Sequence, residues 1–255
     1  ERGARTSGSR FAYLLGDVAL LWGAIQRHTI ATLVGKGFTP AVTPVLVRED
    51  ALVGTGFLPG DEQQIYKVPE DDLYLVGTSE VALAAFHLGE ILPEEDLPLR
   101  YCGLSSCFRR EAGAAGKDTR GIFRVHQFDK VEMFSFVEPS RSAEEHERLL
   151  AIEERILAEL EIPYRVVNVA AGDLGAPAAK KYDCEAWIPS QDRYRELTSC
   201  SNTTDYQARR LSCRYRPADN EAVQAVHTLN GTAVAVGRTM IALIESKRGV
   251  ENADA

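Results

Sequence analysis

Apolar residues recur near helical spacing in two long segments of the chain. One segment runs from Asp17 to about Val34, where Gly35 ends the pattern. The other runs from Ser142 to Leu160, with an apolar stripe opposite a set of acidic side chains. A stripe of this kind packs one side of a helix on a core and leaves the other side in water. We therefore predict two amphipathic helices that act as scaffold.

Several other segments predict strands. Residues 36–46, KGFTPAVTPVL, are extended, and Pro40 and Pro44 restrict them to a sheet edge or an interface. Three β-rich segments follow the second helix: YRVVNVAAGD, KYDCEAWIP and YRELTSCSN. The pattern predicts an α+β fold with a mostly antiparallel β-sheet flanked by helices, in a single domain over residues 1–255.

A charged segment, residues 107–134, reads as a strand, a Gly-rich loop and a returning strand. On each strand, residues of equal parity share a face. This predicts that five side chains lie along one side of the hairpin: Arg109 and Glu111 on the first strand, and Arg124, Phe128 and Glu132 on the second.

Two interpretations of this hairpin follow from the residues alone. A half-exposed hairpin with cross-strand ion pairs is the commoner arrangement. It leaves Phe128 exposed among charges, although the opposite face already supplies enough apolar residues for a core. A binding surface fits better, because arginine can hold a triphosphate, an aromatic ring can stack on a base, and a carboxylate can bind an ammonium or hydroxyl group.

Composition excludes several classes of protein. The net charge of −8 argues against non-specific coating of DNA or RNA, since that mode of binding needs a broad basic face. The five cysteines are odd in number and form no C-x-x-C pair, so we expect neither a disulfide framework nor a structural zinc site. The apolar stretches are too short to span a bilayer. We expect a cytoplasmic protein without membrane or DNA partners.

Several segments resemble the motifs of class II aminoacyl-tRNA synthetases, specifically the seryl enzymes. Residues 36–46 are similar to motif 1, residues 107–134 to motif 2 and residues 230–245, NGTAVAVGRTMIALIE, to motif 3. Seryl-specific signatures are matched by TSE at 78–80, RELTSCSN at 195–202 and HTLNGT at 227–232. The resemblance implies ATP-dependent activation of L-serine to seryl-adenylate with release of pyrophosphate, and then transfer of serine to tRNA(Ser).

The resemblance also implies an ATP site. Arg109 would bridge the α-phosphate and the serine carboxylate, Glu111 would accept from the adenine amino group, and Arg124 would hold the γ-phosphate. Phe128 and Arg238 would enclose the adenine ring. The implied ATP-binding set is Arg109, Arg110, Glu111, Arg124, Val125, Phe128, Glu196, Leu197, Thr198, Ser199 and Arg238, with Arg109 and Arg238 as catalytic residues.

The same resemblance makes Glu196 and Ser199 the ligands of a Mg²⁺ ion that binds with ATP. Residues three positions apart face opposite sides of a regular strand, so we predict a bulge or bend between these two. From the residues alone, a strand-end turn is the alternative.

For serine, Thr78 and Glu80 would receive the ammonium group, at the start of a helix with Thr78 as its N-cap. The implied serine-binding set is Thr78, Ser79, Glu80, Arg109, Glu132, Asn230 and Thr232, in which Glu132 and Thr232 hold the side-chain hydroxyl. Taken alone, Glu80 is equally often a surface residue that compensates the helix dipole.

Motif 1 implies a homodimer, and Lys117 and Arg120 of the motif 2 loop are the candidates for contact with a tRNA acceptor stem. No segment matches the family's N-terminal tRNA-binding helical arm, so we expect that arm to be absent. The alternative function is that of a stand-alone paralogue that activates a small amino acid and charges a carrier protein, or of a non-catalytic paralogue. Carrier-charging relatives look zinc-dependent, and the chain lacks a clear Cys-rich replacement in the amino-acid pocket.

Overall fold

The computed structural model describes residues 2–113, 116, 118, 121–218 and 222–251. Within these ranges the helices are α1 (Arg2–Ser7), α2 (Asp17–Gly35), α3 (Glu49–Thr55), α4 (Glu80–Ala84), α5 (Ser142–Glu159), α6 (Tyr206–Arg210) and α7 (Val236–Glu251). The strands are β1 (Thr39–Val42), β2 (Leu46–Val47), β3 (Tyr66–Val68), β4 (Leu73–Leu75), β5 (Ile91–Pro93), β6 (Leu99–Phe108), β7 (Gln127–Val137), β8 (Tyr164–Asn168), β9 (Lys180–Ile188), β10 (Arg193–Thr204), β11 (Arg214–Arg216), β12 (Gln224–Ala225) and β13 (His227–Ala235).

Seven strands form the main sheet, in the order β1-β6-β7-β13-β10-β9-β8. The pair β1 and β6 is parallel, and the other neighbours in this sheet are antiparallel. Two small three-stranded sheets, β12-β11-β5 and β2-β4-β3, complete the described strands. The α+β fold with a mostly antiparallel sheet is therefore confirmed, and the proline-containing strand β1 lies at the sheet edge as predicted.

The main sheet has a different environment on each face. On one face, α2, α5 and α7 share a buried core with the strands, to which Leu33, Ile156 and Met240 contribute. On the other face, residues of α4 and α6 pack on Phe134 and Phe136 of β7 in a second core. Part of this second face, over β7, β13 and β10, is left open as a cavity.

The predicted strand at residues 122–134 is wrong in its first part. Pairing between β6 and β7 ends at Phe108 and Gln127, and the chain before Gln127 runs as a series of bends. The amide of His126 donates to Arg10 instead of continuing the ladder. Arg109 and Glu111 likewise follow β6 rather than belonging to it, and Glu111 has a positive φ of 52°. The parity argument therefore holds for Phe128 and Glu132 but not for Arg109, Glu111 and Arg124.

All five cysteine thiols are buried and unpaired. Burial raises the pKa of Cys102 to about 11 and that of Cys213 to about 12. Across the described residues, we find no helix with the length and apolar character needed to cross a membrane.

Candidate active site

A cavity of about 350 Å³ opens on the sheet face opposite α5. Its floor is formed by β7, β13 and β10, and its walls come from the start of α4, the chain on either side of the motif 2 loop and the start of α7. Most of the predicted site residues line it: Thr78, Glu80, Arg109, Glu111, Arg124, Val125, Phe128, Glu132, Glu196, Leu197, Thr198, Ser199, Asn230, Thr232 and Arg238. The structure thus gathers residues from five separate sequence segments, and the ligand assigned to each one stays a prediction.

Two predicted site residues do not line this cavity. Arg110 places its guanidinium over the Tyr66 ring, 5.8 Å from the ring centre, and its amide donates to Gln64. Ser79 is fully buried, and its hydroxyl donates to the Gly103 carbonyl at 3.4 Å. Ser79 rather than Thr78 is also the N-cap residue of α4. Neighbouring residues in a loop point in different directions, so matching a motif did not ensure that every side chain in it reaches the cavity.

One end of the cavity is acidic. Glu132 on β7 is 1% exposed, and the Thr78 hydroxyl donates to its Oε2 at 3.2 Å. The same hydroxyl oxygen accepts from the Glu80 amide at 3.2 Å. Thr78 therefore links the Glu132 carboxylate of β7 to the backbone of Glu80 in the first turn of α4.

Glu80 is held inside the cavity rather than at the protein surface. Its Oε1 accepts from Gln207 Nε2 at 2.8 Å and from Asn230 Nδ2 at 2.9 Å. Burial, and then the nearby Glu132 carboxylate, raise its pKa from an ordinary 4.5 to about 7. The interpretation of Glu80 as a dipole-compensating surface residue is therefore wrong.

Lys130 is a buried cation that the sequence reasoning did not assign. It lines the cavity, is 7% exposed and forms an ion pair with Glu132. Its even position on the same strand as Phe128 and Glu132 was the available signal. Lys130 thus places a positive charge beside the carboxylates of Glu132 and Glu80 and partly compensates their negative charge.

The opposite end of the cavity carries guanidinium groups. Arg238, at the start of α7, donates to the carbonyls of Phe123 at 3.3 Å and Glu196 at 3.0 Å. Burial lowers its pKa, and the neighbouring charges of Arg109, Arg124 and Arg195 lower it further. Such mutual repulsion between cations is relieved by a polyanion, which makes this end suited to phosphate groups.

Arg238 and Arg109 each lie over an aromatic ring of the chain. Arg238 lies over the Phe123 ring, 4.8 Å from its centre, and Arg109 lies over Phe128 at 5.4 Å. Phe123 has odd parity and was placed on the opposite face, because the bends before Gln127 could not be foreseen. Both rings border the cavity, and stacking of adenine on Phe128 stays a prediction.

Arg124 already has acidic partners within the chain. Its Nη1 donates to Glu111 at 2.6 Å, and its Nε lies 3.6 Å from Asp118. Asp118 in turn accepts two hydrogen bonds from Arg195, at 3.0 and 2.8 Å, which lower the pKa of its carboxyl. Arg124, which is predicted to hold the γ-phosphate, is thus hydrogen-bonded to Glu111, which is predicted to accept from the adenine amino group. Lys117 and Arg120 of the same loop lie outside the described residues.

Glu196 and Ser199 both line the cavity, although they are three residues apart on β10. Between them, β10 shifts its register against β9, from Glu196↔Glu185 to Thr198↔Cys184. The predicted bulge is confirmed, and the alternative of a strand-end turn is wrong. Lys181 of β9, which was not predicted, approaches the Glu196 carboxylate at 3.9 Å.

This pair fits a magnesium ion that arrives with a nucleotide. Mg²⁺ keeps several waters and takes one or two protein oxygens together with substrate phosphates. The side chain of Glu196 is 46% exposed, and its carboxylate lies 3.9 Å from the Lys181 ammonium. Among the described residues, no group of three or more His, Cys, Asp or Glu side chains could hold a metal ion. The ion would therefore depend on phosphate oxygens for much of its coordination.

Comparisons with known proteins agree with this geometry. A family model described as the tRNA synthetase class II core domain (G, H, P, S and T) matches residues 65–247. The chain is 58% identical over 246 residues to the serine–tRNA ligase of Streptomyces coelicolor, covering 96% of this chain and 57% of that protein. The chain thus spans little more than half the length of this relative.

Two solved structures share the fold. A seryl-tRNA synthetase from Pyrococcus horikoshii complexed with ATP superposes with a TM-score of 0.93 at 52% identity, covering 96% of this chain and 55% of that one. A cytoplasmic serine–tRNA ligase from Naegleria fowleri in complex with AMP has a TM-score of 0.91 at 42% identity, covering 96% and 58%.

The matched family model spans most of the chain, from the hairpin of β3 and β4 to the last helix, and includes both ends of the cavity. The predicted likeness to seryl enzymes is confirmed by these relatives. The chain belongs to the class II tRNA synthetase core-domain family.

Proposed function

We propose that the protein activates L-serine with ATP, giving seryl-adenylate and pyrophosphate, and then transfers the serine to the terminal ribose of tRNA(Ser). The observation that carries the proposal is a single cavity with two carboxylates at one end and several guanidinium groups at the other. Serine carries an ammonium and a hydroxyl at one end and a carboxylate at the other, while ATP carries a triphosphate. The two ligands placed end to end match this distribution of charge.

The acidic end supports recognition of serine. In its ionised form the Glu80 carboxylate, fixed by Gln207 and Asn230, can accept from the ammonium group. Glu132 and Thr232 are adjacent across β7 and β13 and can hydrogen-bond the side-chain hydroxyl. A pocket built for a hydroxyl discriminates against alanine, because its own buried polar groups would lose their partners.

The reaction needs positioning and charge compensation rather than a covalent enzyme intermediate. A serine carboxylate oxygen attacks the α-phosphorus, the bond from that phosphorus to the bridging oxygen breaks, and pyrophosphate leaves with both electrons. Arg109 lines the cavity and donates from its Nε to the Gly77 carbonyl at 3.2 Å, and its other guanidinium nitrogens can donate to the serine carboxylate and the α-phosphate together. Arg124 and Arg238 supply positive charge for the phosphates.

Glu196 and Ser199 would hold the Mg²⁺ that accompanies ATP. When bound, this ion would neutralise phosphate charge that develops on the leaving pyrophosphate. We further propose a homodimer formed through motif 1 at the edge strand β1, and we place the reaction in the cytoplasm, where tRNA is charged.

The proposal is tested by ATP–pyrophosphate exchange with each of the twenty amino acids, with Mg²⁺ and without tRNA. We expect exchange with serine and only background exchange with alanine, glycine and threonine. Exchange with alanine or glycine in place of serine would support the carrier-protein alternative. A protein that binds ATP but exchanges with no amino acid would contradict the proposal.

A further inference from the structure

Glu153 of α5 is a fully buried carboxyl group that the proposed mechanism does not use. It lies beneath the main sheet, on the face opposite the cavity. The Thr198 hydroxyl of β10 donates to its Oε2 at 2.8 Å. The Cys184 thiol of β9 also interacts with this carboxyl group. A polar group at this depth costs stability unless its hydrogen bonds are made, so the short bond from Thr198 calls for an explanation.

Thr198 belongs to the bulge of β10. Leu197 has no partner on β9, since pairing passes from Glu196 directly to Thr198. Leu197 belongs to the core on the helix side, and Thr198 directs its hydroxyl to the same side. The pairing gives the sides: Thr198 stands opposite the core residue Cys184, whereas Glu196 and Ser199 stand opposite Glu185 and Asp183 on the other side of β9. The bulge therefore puts Glu196 and Ser199 on the cavity side of β10, although Leu197 and Thr198 also border the cavity.

We propose that Glu153 is a positioning residue, whose bond to Thr198 holds the β10 bulge in the form that presents Glu196 and Ser199 to Mg²⁺ and ATP. This inference deepens the proposed function and rests on it for the identity of the ligand. Glu153 touches none of the reacting groups and acts through Thr198. Removing its bond leaves the bulge free to relax toward regular pairing, which would turn Glu196 away from the cavity.

The surroundings of Glu153 keep its carboxyl in place. A Cβ atom on Gly231 of β13 would lie 3.0 Å from Glu153 Oε1, so helix and sheet meet here with no spare room. Gly231 stands between Asn230 and Thr232, which line the acidic end of the cavity. Burial raises the pKa of Glu153 well above its ordinary value, and the carboxylates of Glu132 and Asp183 add to this. A neutral carboxylic acid at this position can be replaced by the amide of glutamine, whose carbonyl oxygen can still accept the hydrogen bond from Thr198.

The test compares Glu153→Gln with Glu153→Met by calorimetric titration of ATP, with Mg²⁺ and with Mg²⁺ removed by a chelator. The amide keeps a carbonyl acceptor for Thr198, whereas methionine fills the space without one. We expect Glu153→Met to weaken ATP binding about tenfold with Mg²⁺ and by less than about twofold without it. We expect Glu153→Gln to bind within about twofold of the parent in both cases. Thr198→Val removes the other partner, should reproduce the methionine result, and serves if Glu153→Met does not fold.

Glu145→Gln is the matched control, because Glu145 is a buried carboxylate of the same helix that bonds to Arg100 and Ser135 instead of the bulge. Its ATP affinity should match that of the parent both with Mg²⁺ and without it. The inference would be overturned by parental binding in Glu153→Met, by an equal loss in Glu153→Gln, or by a loss that is the same without Mg²⁺. ATP binding is measured without an amino acid, so failure of serine-dependent exchange in the parent would contradict the proposed function alone.

Discussion

The two ends of the cavity are built in different ways. At the acidic end, the carboxylates of Glu80 and Glu132 project from regular elements, and each is fixed by partners within the protein. At the cationic end, Arg109 and Arg124 come from irregular chain beside the motif 2 loop, and Arg124 is bonded to acidic groups of that loop. The carboxylates of the first end are thus already held in place. At the second end, the proposed binding of ATP requires phosphate groups to replace the acidic partners of Arg124.

The position of Glu80 in the cavity lowers the stability of the folded protein at neutral pH. Because the folded-state pKa of Glu80 is raised to about 7 from 4.5, the folded protein holds this proton more tightly than the unfolded chain. Its contribution to stability is therefore lost as the pH rises from about 4.5 to 7, by roughly 3 kcal/mol in all. An ammonium group bound at Glu80 would favour the ionised carboxylate and so offset this cost.

The largest expected effect comes from Glu80→Gln. The amide cannot supply the negative charge that a buried ammonium needs, so kcat/KM for serine should fall by about 100- to 1000-fold. The KM for ATP should change little, because the cationic end is untouched. Both constants are measured by ATP–pyrophosphate exchange. Glu95→Gln, at an exposed carboxylate outside the cavity, is the control, and an equal fall in that variant would contradict the assignment.

Lys130→Met should mainly reduce stability. Removing the cation leaves Glu132 and Glu80 as buried carboxyl groups without their compensating charge, and we expect a loss of about 3 kcal/mol in the free energy of unfolding. Urea denaturation at pH 7 measures the loss, which should become smaller at pH 5, where Glu80 is protonated. A loss that does not depend on pH would argue against coupling between the two carboxyl groups.

The serine affinity should depend on pH through Glu80. Its pKa is about 7, and the ammonium binds to the ionised form, so binding releases a proton below that pH. The KM for serine should level off above pH 7 and rise below it, approaching about tenfold for each further pH unit. The KM for ATP measured over the same range is the internal reference. A flat profile for serine would contradict the role given to this carboxylate.

The smallest effect is expected at the cationic end, for Asp118→Asn. This change removes the charge that pairs with Arg195 and, at 3.6 Å, with Arg124, but Arg124 keeps its shorter bond to Glu111 and is partly open to solvent, where ion pairs contribute little. We expect the KM for ATP to change by less than about fivefold and the KM for serine to stay the same. A large change in the KM for serine would mean that the two ends of the cavity are not separable.

The residues that strand parity placed correctly belong to regular structure. Phe128 and Glu132 lie on β7 after Gln127, where the two-residue period of a strand holds, and both face the cavity. The β10 bulge could be predicted because the resemblance required Glu196 and Ser199 on one face. Strand parity could not give the sides of Phe123 and Arg124, because β7 begins only at Gln127 and both residues precede it, and nothing in the local pattern announces that start.

Contacts between distant segments could not be predicted from a pattern. Gln207 fixes Glu80 from 127 residues away in the chain, and Thr198 reaches Glu153 across 45 residues. Both Gln207 and Glu153 occur in helical segments where polar residues are ordinarily solvent-exposed. Their burial follows only from how the helices pack on the sheet, which depends on the tertiary structure as a whole.

The burial of all five cysteines has a practical consequence for fluorescent labelling. A thiol reacts as its thiolate, and all five native thiols are shielded from reagents and hold their protons at neutral pH. A single cysteine introduced at Ala112, beside the Glu111–Arg124 ion pair, would therefore be labelled selectively without removing any native one. A fluorophore attached there would report, in an otherwise unlabelled protein, whether the environment of the Glu111–Arg124 ion pair changes when ATP is added.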